Sequence, residues 1–596
     1  MTGVLIFHEN VFCNIMAGKP ENFIEVSYEV ANKVGGIHQV LESKAGKMKD
    51  FYGENYITVG PYIKESARQE FIPREKHSYQ EEFRKLEEEH GIKLHYGVWD
   101  IAASPKTILV EYEGLNKSTD EIKEELWNRY GIDSLNAPED FNDPVKWSYS
   151  VGLLIGELED CLEGESVVQL HEWLSGPAIT GFESPSVFTT HATVLGRALS
   201  SSDFDLNEAI DSGGLDQSLA DEYGVKPKHQ VEKMAAQESE VFTTVSETTG
   251  KEAEAVLEER PDVILPNGFN VEEYPSLEEL SYNHTRKKEE MKEFLQAYFE
   301  PYYSVDLESD PRILFISGRY EFHNKGVDML IDALAEVNER PGDDFYVFFF
   351  IPSEVEGARM DVLENMSLYD ELEGYVDSVM PDLRNKILNS VTSGDTPEDL
   401  ENVLDSSTIE SLSADFHERD GRPPLCAFDL AYPDDNIISY LKEKGLNNAE
   451  DDRVKVIFYP TYLSVGDKLL SMDYNDAIVA SSAGIFPSYY EPWGYTPVET
   501  AANGALSVTT DMAGFGKFLK ENTGEEERKG IKILEREDKS YEEASLQLAD
   551  FISDIVDYSK TEITERKHNA RKLAQMTSWE KLGKNYEKAH IEAVER

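Results

Sequence analysis

The stretch ILFISGRYEFHNKG, Ile313–Gly326, decides the fold class of this chain. Its first four residues are apolar and form a short run that predicts a buried strand, and the polar loop that follows carries Arg319 and Lys325. A helical pattern begins near Gly326. Short apolar runs that alternate with helices are typical of parallel strands in βαβ units, because helices cover both faces of such a sheet. The stretch therefore predicts an α/β chain with a doubly wound sheet.

Apolar runs of the same kind occur on both sides of this stretch and form two series. Many of them end in small or polar loops that lead into helical patterns. Two series of strand–helix units predict two doubly wound domains, and a solenoid is not expected because the sequence shows no repeat of 20–50 residues. The first series is Val4–Phe7, Tyr56–Val59, Val167–Leu170, Val187–Thr190, Val241–Val245 and Val263–Leu265, and the second is Ile313–Ser317, Phe345–Ile351, Val454–Tyr459, Gly484–Pro487 and Leu506–Thr509.

Two segments differ from these units in composition. Residues 272–311 and 358–447 are charged, helical in pattern and poor in strand signals, so they predict a helical insertion. In the first of them Ser276 is followed three residues later by Glu279, which is the spacing of a capping box. The rest of the chain divides into an N-terminal Rossmann-like domain at 1–271 and a C-terminal one formed by 312–357 and 448–576.

The charge of the chain is extreme. Among 596 residues, 57 Lys and Arg stand against 116 Asp and Glu, which gives a net charge of −59. Apolar residues make up 40% of the chain, which excludes a disordered acidic protein. A surface this negative repels nucleic acid and anionic lipid. The acidic residues are spread over the whole chain, a pattern that predicts adaptation to molar salt, where self-repulsion is screened.

The remaining composition signals point to a cytoplasmic protein. The three cysteines, Cys13, Cys161 and Cys426, have no spacing typical of a zinc site or a disulfide framework. The longest strongly apolar run, Phe345–Ile351, is far shorter than the roughly 20 residues of a membrane-spanning helix. The first ten residues, MTGVLIFHEN, lack the basic segment of a signal peptide. We therefore expect a soluble, cytoplasmic protein.

Ligands of doubly wound sheets bind beyond the carboxyl ends of the strands, so the loops after strands are the candidate sites. In NKVGGIHQV, residues 32–40, Gly35 and Gly36 leave backbone N–H groups for a phosphate or a sugar at a helix start; a simple tight turn is the alternative. In the loop quoted first, Arg319 and Lys325 can bind a diphosphate without a metal. Their charges and the dipole of the following helix act together there.

A third loop, in FPSYYEPWGYTPVETAANG at residues 486–504, is rich in aromatic residues. The loop carries Glu491, and a helix that starts near Thr496–Pro497 carries Glu499. Carboxylates so placed can bind sugar and ribose hydroxyls or stabilise positive charge at an anomeric carbon. The same spacing arises by chance in so acidic a chain, but the position after a strand favours a functional role.

Histidines follow two further strands of the first series. QLHEWLSG contains His171, Glu172 and Trp173, and FTTHATVLGR contains His191 and Arg197. A single histidine is more often a structural hydrogen-bond partner than a functional group. Two of them at successive strand ends favour function.

The segments NKVGGIHQV, TTHATVLGR, VFTTVSETTGKEAEAVL, PNGFNVEEY, SGRYEFHNKG and FPSYYEPWGYTP, in this order, closely resemble the glycogen synthase family of the eukaryotic type. The resemblance covers nearly the whole chain, and the last string is highly specific. It implies the GT-B fold, in which two Rossmann-like domains face a cleft, with the helix at 577–596 packed back on the first domain. The insertion lies where relatives carry tetramerising helices, so a homo-oligomer, a trimer or tetramer, is expected.

The resemblance also implies roles for single residues. The catalytic group is Glu491 beside the glucose, Arg319 and Lys325 at the donor diphosphate, and His191 at the transferred glucose. The donor-binding group is Lys33, Gly35 and Gly36 near the phosphate, Arg197 at the cleft, Tyr474 stacked on the base, Glu499 near the ribose, and Trp493 and Gly494 in the Glu491 loop.

The implied reaction is retaining transfer of glucose from UDP-glucose or ADP-glucose to an α-1,4-glucan, without a metal or another cofactor. A phosphorylase with pyridoxal phosphate is one alternative, but the region after Glu499 has no phosphorylase-like Gly-x-Gly-Asn-Met-Lys string. A transferase with another acceptor is a second alternative. A catalytically silent nucleotide-sugar or glucan-binding protein is a third, and the presence of Arg319, Lys325, Glu491 and Glu499 argues against it.

Overall fold

The computed structural model describes residues 18–596 except 203, 205, 212–214, 308–309, 394–412, 414–415 and 417–418. The predicted strand Val4–Phe7 lies outside the described residues. In the described ranges, no helix has the length and apolar character of a membrane span.

The first sheet has the strand order β3-β4-β5-β2-β1-β6-β7-β8-β9. The seven strands β5-β2-β1-β6-β7-β8-β9 pair in parallel, while β4 runs antiparallel to both β3 and β5. The short connection from β4 to β5 explains this departure from the parallel prediction, since a parallel crossover needs a dozen or more residues. The strands are β1 Asn22–Val26, β2 Tyr56–Pro61, β3 Phe71–Pro73, β4 Lys93–Trp99, β5 Lys106–Glu111, β6 Ser166–His171, β7 Ser186–Thr190, β8 Val241–Thr244 and β9 Val263–Ile264.

Helices pack on both faces of this sheet and bury its apolar side chains. The α-helices of this part of the chain are Gly36–Tyr52, Lys64–Glu70, Gln80–His90, Thr119–Tyr130, Asn142–Glu159, Glu172–Ser175, Val194–Ser200, Leu206–Asp211, Leu219–Glu222, Lys226–Glu238 and Glu247–Leu257.

The second sheet is parallel throughout and has the strand order β14-β11-β10-β15-β16-β17. A separate antiparallel pair, β12-β13, lies beside it. The strands are β10 Arg312–Ser317, β11 Phe345–Phe350, β12 Val355–Ala358, β13 Phe428–Leu430, β14 Val454–Phe458, β15 Ala483–Ile485, β16 Leu506–Thr510 and β17 Ile531–Leu534. The α-helices from here to the C-terminus are Leu277–Phe299, Val327–Asn338, Met360–Ser393, Asn436–Glu443, Tyr474–Ala480, Tyr495–Ala502, Gly514–Asn522, Tyr541–Asp557, Lys560–Ala574 and Trp579–Glu595.

The bounds of the helical insertion differ from the prediction. The helix Leu277–Phe299 begins with the predicted capping box, but its residues Phe294 and Tyr298 lie in the core of the second sheet. The stretch 425–446 belongs to the same core through residues such as Ile437. The sequence pattern of both segments resembles that of an insertion because only one face of each helix is apolar. In the structure that apolar face covers the sheet.

The helix Met360–Ser393 is the part of the predicted insertion that projects from the second core. It has 34 residues, and only Val362 and Asn365, near its start, are buried. Val376, Met380, Ile387 and Val391 are each between 38% and 64% exposed. At helical periodicity these four residues form one apolar stripe.

The helix Trp579–Glu595 returns to the first sheet. Its Trp579 and Tyr586 pack with Phe23 and Tyr52 in one buried cluster. His590 is fully buried, and its Nδ1 lies 2.8 Å from the Tyr52 hydroxyl, with which it forms a hydrogen bond. The first domain therefore includes residues that follow the whole second domain in the chain.

Candidate active site

Each sheet has one point where its connections reverse direction. In the first sheet this point lies between β1 and β6, and in the second it lies between β10 and β15. Loops at such a point diverge and leave a crevice at the carboxyl ends of the strands. Lys33 lies in the loop after β1, and Glu172 directly follows β6 at the start of a short helix. The loops after β10 and β15 carry Lys325 and Glu491.

Lys325 and Glu491 form an ion pair between the two loops of the second sheet. Both side chains are less than one fifth exposed. The main-chain N–H of Tyr489 donates to the Asn324 carbonyl at 2.8 Å, which fixes one loop against the other. Gly326 adopts φ +69°, and a Cβ there would lie 2.1 Å from the Pro487 carbonyl oxygen, so only glycine fits. The pair stands at the start of the helix Val327–Asn338, where the helix dipole favours an anion.

The structure does not bring Arg319 to this pair. The Arg319 side chain is 76% exposed and forms an ion pair with Glu321 at 2.9 Å. The two cations that the sequence places in one loop therefore have different surroundings. Lys325 is held against Glu491, while Arg319 faces solvent.

The loop after β15 is fixed by main-chain contacts to the start of the helix Gly514–Asn522. Gly514 and Phe515 donate to the carbonyls of Glu491 and Trp493 at 3.0 and 2.8 Å. Trp493, predicted to bind the donor, is 3% exposed and packs on Phe515 in an apolar cluster, so its indole holds the loop in place. Gly494 adopts φ +99° and lies before the first turn of the helix Tyr495–Ala502.

Glu499 lies in that helix, and burial alone raises its pKa to about 7. Tyr474 and Tyr274 lie near its carboxylate. The Tyr474 hydroxyl hydrogen bonds to the Ser317 hydroxyl at 2.7 Å, at the end of β10. A desolvated carboxylate beside phenol rings is suited to accept hydrogen bonds from the hydroxyls of a ligand.

The glycine loop after β1, at Gly35 and Gly36, has N–H groups that lie next to a carboxylate of the protein itself. The Glu29 carboxylate accepts hydrogen bonds from the main-chain N–H groups of Gly35 and His38 at 2.9 and 2.8 Å. Lys33 and Gly36 are exposed beside this contact. The sequence predicted that the N–H groups at this helix start are available to a ligand. In the structure, Glu29 accepts hydrogen bonds from two of them, those of Gly35 and His38.

His191 directly follows β7, and Arg197 lies in the next helix, Val194–Ser200. Both contact Glu172, the first residue of the short helix after β6. His191 is 6% exposed, and its main-chain N–H donates to Glu172 Oε1 at 2.9 Å. Arg197 Nη2 lies 3.4 Å from the same oxygen, and half of its side chain is exposed. Glu172 has φ +65°, a conformation that costs energy for a residue with a Cβ and that is often found at functional sites.

Two buried glutamates that sequence reasoning missed support this loop. Glu232 accepts from the Thr190 hydroxyl and from the Val194 N–H, and burial raises its pKa to about 8. Glu252 accepts from the N–H and the hydroxyl of Thr193 at 2.9 and 2.6 Å. Both lie in charged helices, Lys226–Glu238 and Glu247–Leu257, whose charges look like ordinary surface, so the sequence gives no signal for their burial.

Glu252 also joins the two domains. The Tyr490 hydroxyl donates to Glu252 Oε1 at 3.2 Å, and Tyr490 precedes Glu491 in the loop after β15. Through Thr193 and Tyr490, one carboxylate therefore contacts both the loop of His191 and the loop of Glu491. The loop of His191 and the loop of Glu491 therefore meet at Glu252, between the two sheets.

Comparisons with known proteins agree with this arrangement. The solved catalytic domain of starch synthase IV from Arabidopsis thaliana, bound to ADP and acarbose, superposes with a TM-score of 0.52 at 14% identity over 97% of this chain and 100% of that chain. This similarity shows the fold: two Rossmann-like domains that face a cleft, the GT-B architecture of glycosyltransferases.

The family comparison is more specific. The family model described as glycogen synthase matches residues 25–596. The chain is 32% identical to the liver glycogen (starch) synthase of Rattus norvegicus over 95% of this chain and 82% of that protein, and 32% identical to isoform 1 of Saccharomyces cerevisiae over 95% and 84%. The chain belongs to the glycogen synthase family, as the resemblance implied.

Proposed function

We propose that this protein transfers glucose, with retention, from a nucleoside diphosphate glucose to the 4-hydroxyl at the non-reducing end of an α-1,4-glucan. The observation that carries the proposal is the partly buried Lys325–Glu491 pair at the reversal point of the second sheet, in a member of the glycogen synthase family. UDP-glucose and ADP-glucose are both candidate donors.

In this proposal the positive groups stabilise the leaving diphosphate. The bond between C1 of glucose and the phosphate oxygen breaks, and its electron pair goes to that oxygen beside Lys325 and the helix start. The acceptor hydroxyl forms the new bond to C1 from the same face, and its proton passes to a phosphate oxygen. Glu491 stabilises positive charge at C1. Arg319 reaches the diphosphate after it leaves Glu321, and no metal is required for the charge balance.

Glu499 and Tyr474 serve the nucleoside in this proposal, and the first domain serves the glucose. The raised pKa of Glu499 reflects a desolvated carboxylate that ribose hydroxyls would satisfy. Lys33 and Gly36 border the phosphate from the first domain, together with Arg197. Closure of the cleft would exclude water and limit hydrolysis of the donor.

We also propose a homo-oligomer that forms through the helix Met360–Ser393. Its stripe of Val376, Met380, Ile387 and Val391 exposes apolar surface that a second copy would cover. A trimer or a tetramer would bury the stripe of each copy.

The net charge of −59 supports a salt-adapted cytoplasmic enzyme from a halophilic organism. Self-repulsion of this size is screened when the Debye length falls to about 3 Å near 1 M salt.

The deciding experiment is nucleotide release from UDP-glucose and from ADP-glucose in about 2 M KCl, with and without glycogen, a salt level at which charge repulsion is screened. Glycogen-dependent release identifies the donor and supports the synthase. Release that does not depend on glycogen would indicate another acceptor or hydrolysis. A lack of release from both donors would contradict the proposal and favour a binding protein or, with a pyridoxal absorbance band, a phosphorylase.

A further inference from the structure

A chain of buried polar side chains runs from the centre of the first sheet to His191. Glu25 lies in β1, and its side chain is fully buried. Its carboxylate accepts hydrogen bonds from Lys44 and from the Tyr56 hydroxyl. His171, the last residue of β6, lies with Nε2 3.0 Å from Glu25 Oε1. His171 Nδ1 lies 3.0 Å from His191 Nε2.

The charges in this chain decide where the protons are. Lys44 already neutralises Glu25, so an imidazolium at His171 would add an unbalanced charge inside the protein. Burial and the Lys44 charge lower the pKa of His171, and burial together with His171 lowers the pKa of His191 further. Both rings are therefore neutral at neutral pH.

A neutral ring has one donor and one acceptor nitrogen, and the partner of one nitrogen fixes the role of the other. The Glu25 carboxylate only accepts, so His171 Nε2 carries the proton. His171 Nδ1 then accepts, and the Nε2–H of His191 must donate to it. His191 Nδ1 is left with a lone pair and no proton.

We propose that Glu25 and His171 are positioning residues that hold His191 in the Nε2–H form, so that His191 Nδ1 accepts a hydrogen bond from a hydroxyl of the bound glucose. This inference rests on the proposed function, because it takes His191 to face the glucose. It goes further by naming the polarity of the contact. A phosphate cannot satisfy a bare ring nitrogen, since neither partner would donate, whereas a sugar hydroxyl can.

Two substitutions at one position test the polarity. In His171→Gln, the amide can donate to Glu25 and the carbonyl can accept from His191, so the direction of the chain is kept. In His171→Phe, a planar aromatic ring is kept and both hydrogen bonds are lost. We expect His171→Phe to lower kcat by about 10–100-fold with little change in the KM for glycogen. Losses of this size occur when a residue that orients a metal-binding histidine is replaced. We expect His171→Gln to recover most of the loss.

His590→Phe is the matched control for the cost of removing a buried histidine. His590 packs under the same sheet, near Lys44 and Glu25, and hydrogen bonds to Tyr52 and Gln169. Its two ring nitrogens are used by these partners, so it is not a link between Glu25 and His191. It is expected to lower stability but to leave kcat near the wild-type value. Equal losses in His171→Gln and His171→Phe, or an equal loss in His590→Phe, would overturn the inference. If the wild-type protein releases no nucleotide with glycogen, the proposed function fails instead.

A spectroscopic measurement tests the tautomers without turnover. In the protein labelled with ¹⁵N at its histidines, His191 is assigned by difference from His191→Gln. The expected spectrum shows a protonated Nε2 and a bare Nδ1 at neutral pH. A protonated Nδ1, or an imidazolium, would overturn the inference whether or not the enzyme is active.

Discussion

Glu499 offers a prediction whose magnitude follows from its burial. Its carboxylate has no hydrogen bond within the described residues, and desolvation alone raises its pKa from 4.5 to about 7. The unfolded chain loses this proton near pH 4.5, while the folded protein keeps it up to about pH 7. Between these values the folded state binds the extra proton, so the contribution of Glu499 to the free energy of unfolding falls as pH rises. Above about pH 7 this contribution stays constant.

The substitution Glu499→Gln removes this cost, because the amide does not ionise. A pKa raised from 4.5 to about 7 corresponds to at most about 3 kcal/mol at pH 8.5, of which about 1 kcal/mol is expressed at pH 5.5. We expect Glu499→Gln to be more stable than the wild type by these amounts in urea denaturation in about 2 M KCl, where charge repulsion is screened.

The same variant should bind the donor nucleotide more weakly if Glu499 accepts from the ribose. Glu499→Asp is the control, since it keeps the charge and should keep a wild-type-like dependence on pH. An equal stabilisation by Glu499→Gln at pH 5.5 and pH 8.5 would refute the reasoning, because the cost of a buried charge must grow as the carboxyl ionises.

Three further predictions concern turnover and assembly. Lys325→Ala should lower kcat by roughly 10² or more, the effect of losing one preorganised group that stabilises charge, and near-normal turnover would remove Lys325 from the diphosphate site. Turnover should collapse at about 50 mM salt and recover at molar salt; full activity in the dilute buffer, where the screening length exceeds about 10 Å, would contradict salt adaptation. Met380→Glu should reduce the mass measured by light scattering to the 67.5 kDa of one chain, while Ser378→Glu on the opposite face should not. Loss of the oligomer in both variants, or in neither, would contradict the proposal that the apolar stripe forms the contact between copies.

The strands that could be predicted are those with continuous apolar runs. Phe345–Phe350 is buried along its whole length and has no polar residue to interrupt the pattern. β1 was missed because Glu25 stands in the middle of it, paired with a lysine that follows nineteen residues later. β17 was missed because Lys532 breaks its run. A buried charge is invisible to a pattern of hydrophobicity when its partner is distant in the chain.

The candidate site shows the same limit. The loops can be located because a strand end is visible in the sequence. That Lys325 and Glu491 form a pair, although 166 residues separate them, is seen only in the structure. What each side chain contacts could not be predicted. The burial of Trp493 and the occupation of the Gly35 N–H by Glu29 depend on distances that no spacing rule supplies.

The helix Trp579–Glu595 has a consequence for the biosynthesis of this protein. The ribosome completes the second domain before it releases this helix, so Phe23 and Tyr52 lack the cover of Trp579 and Tyr586 while some 300 residues are translated. At about 5–20 residues per second this interval lasts of the order of tens of seconds, during which an apolar surface on the nascent first domain is open to chaperones or to aggregation. A stop codon placed before Trp579 would make that exposure permanent.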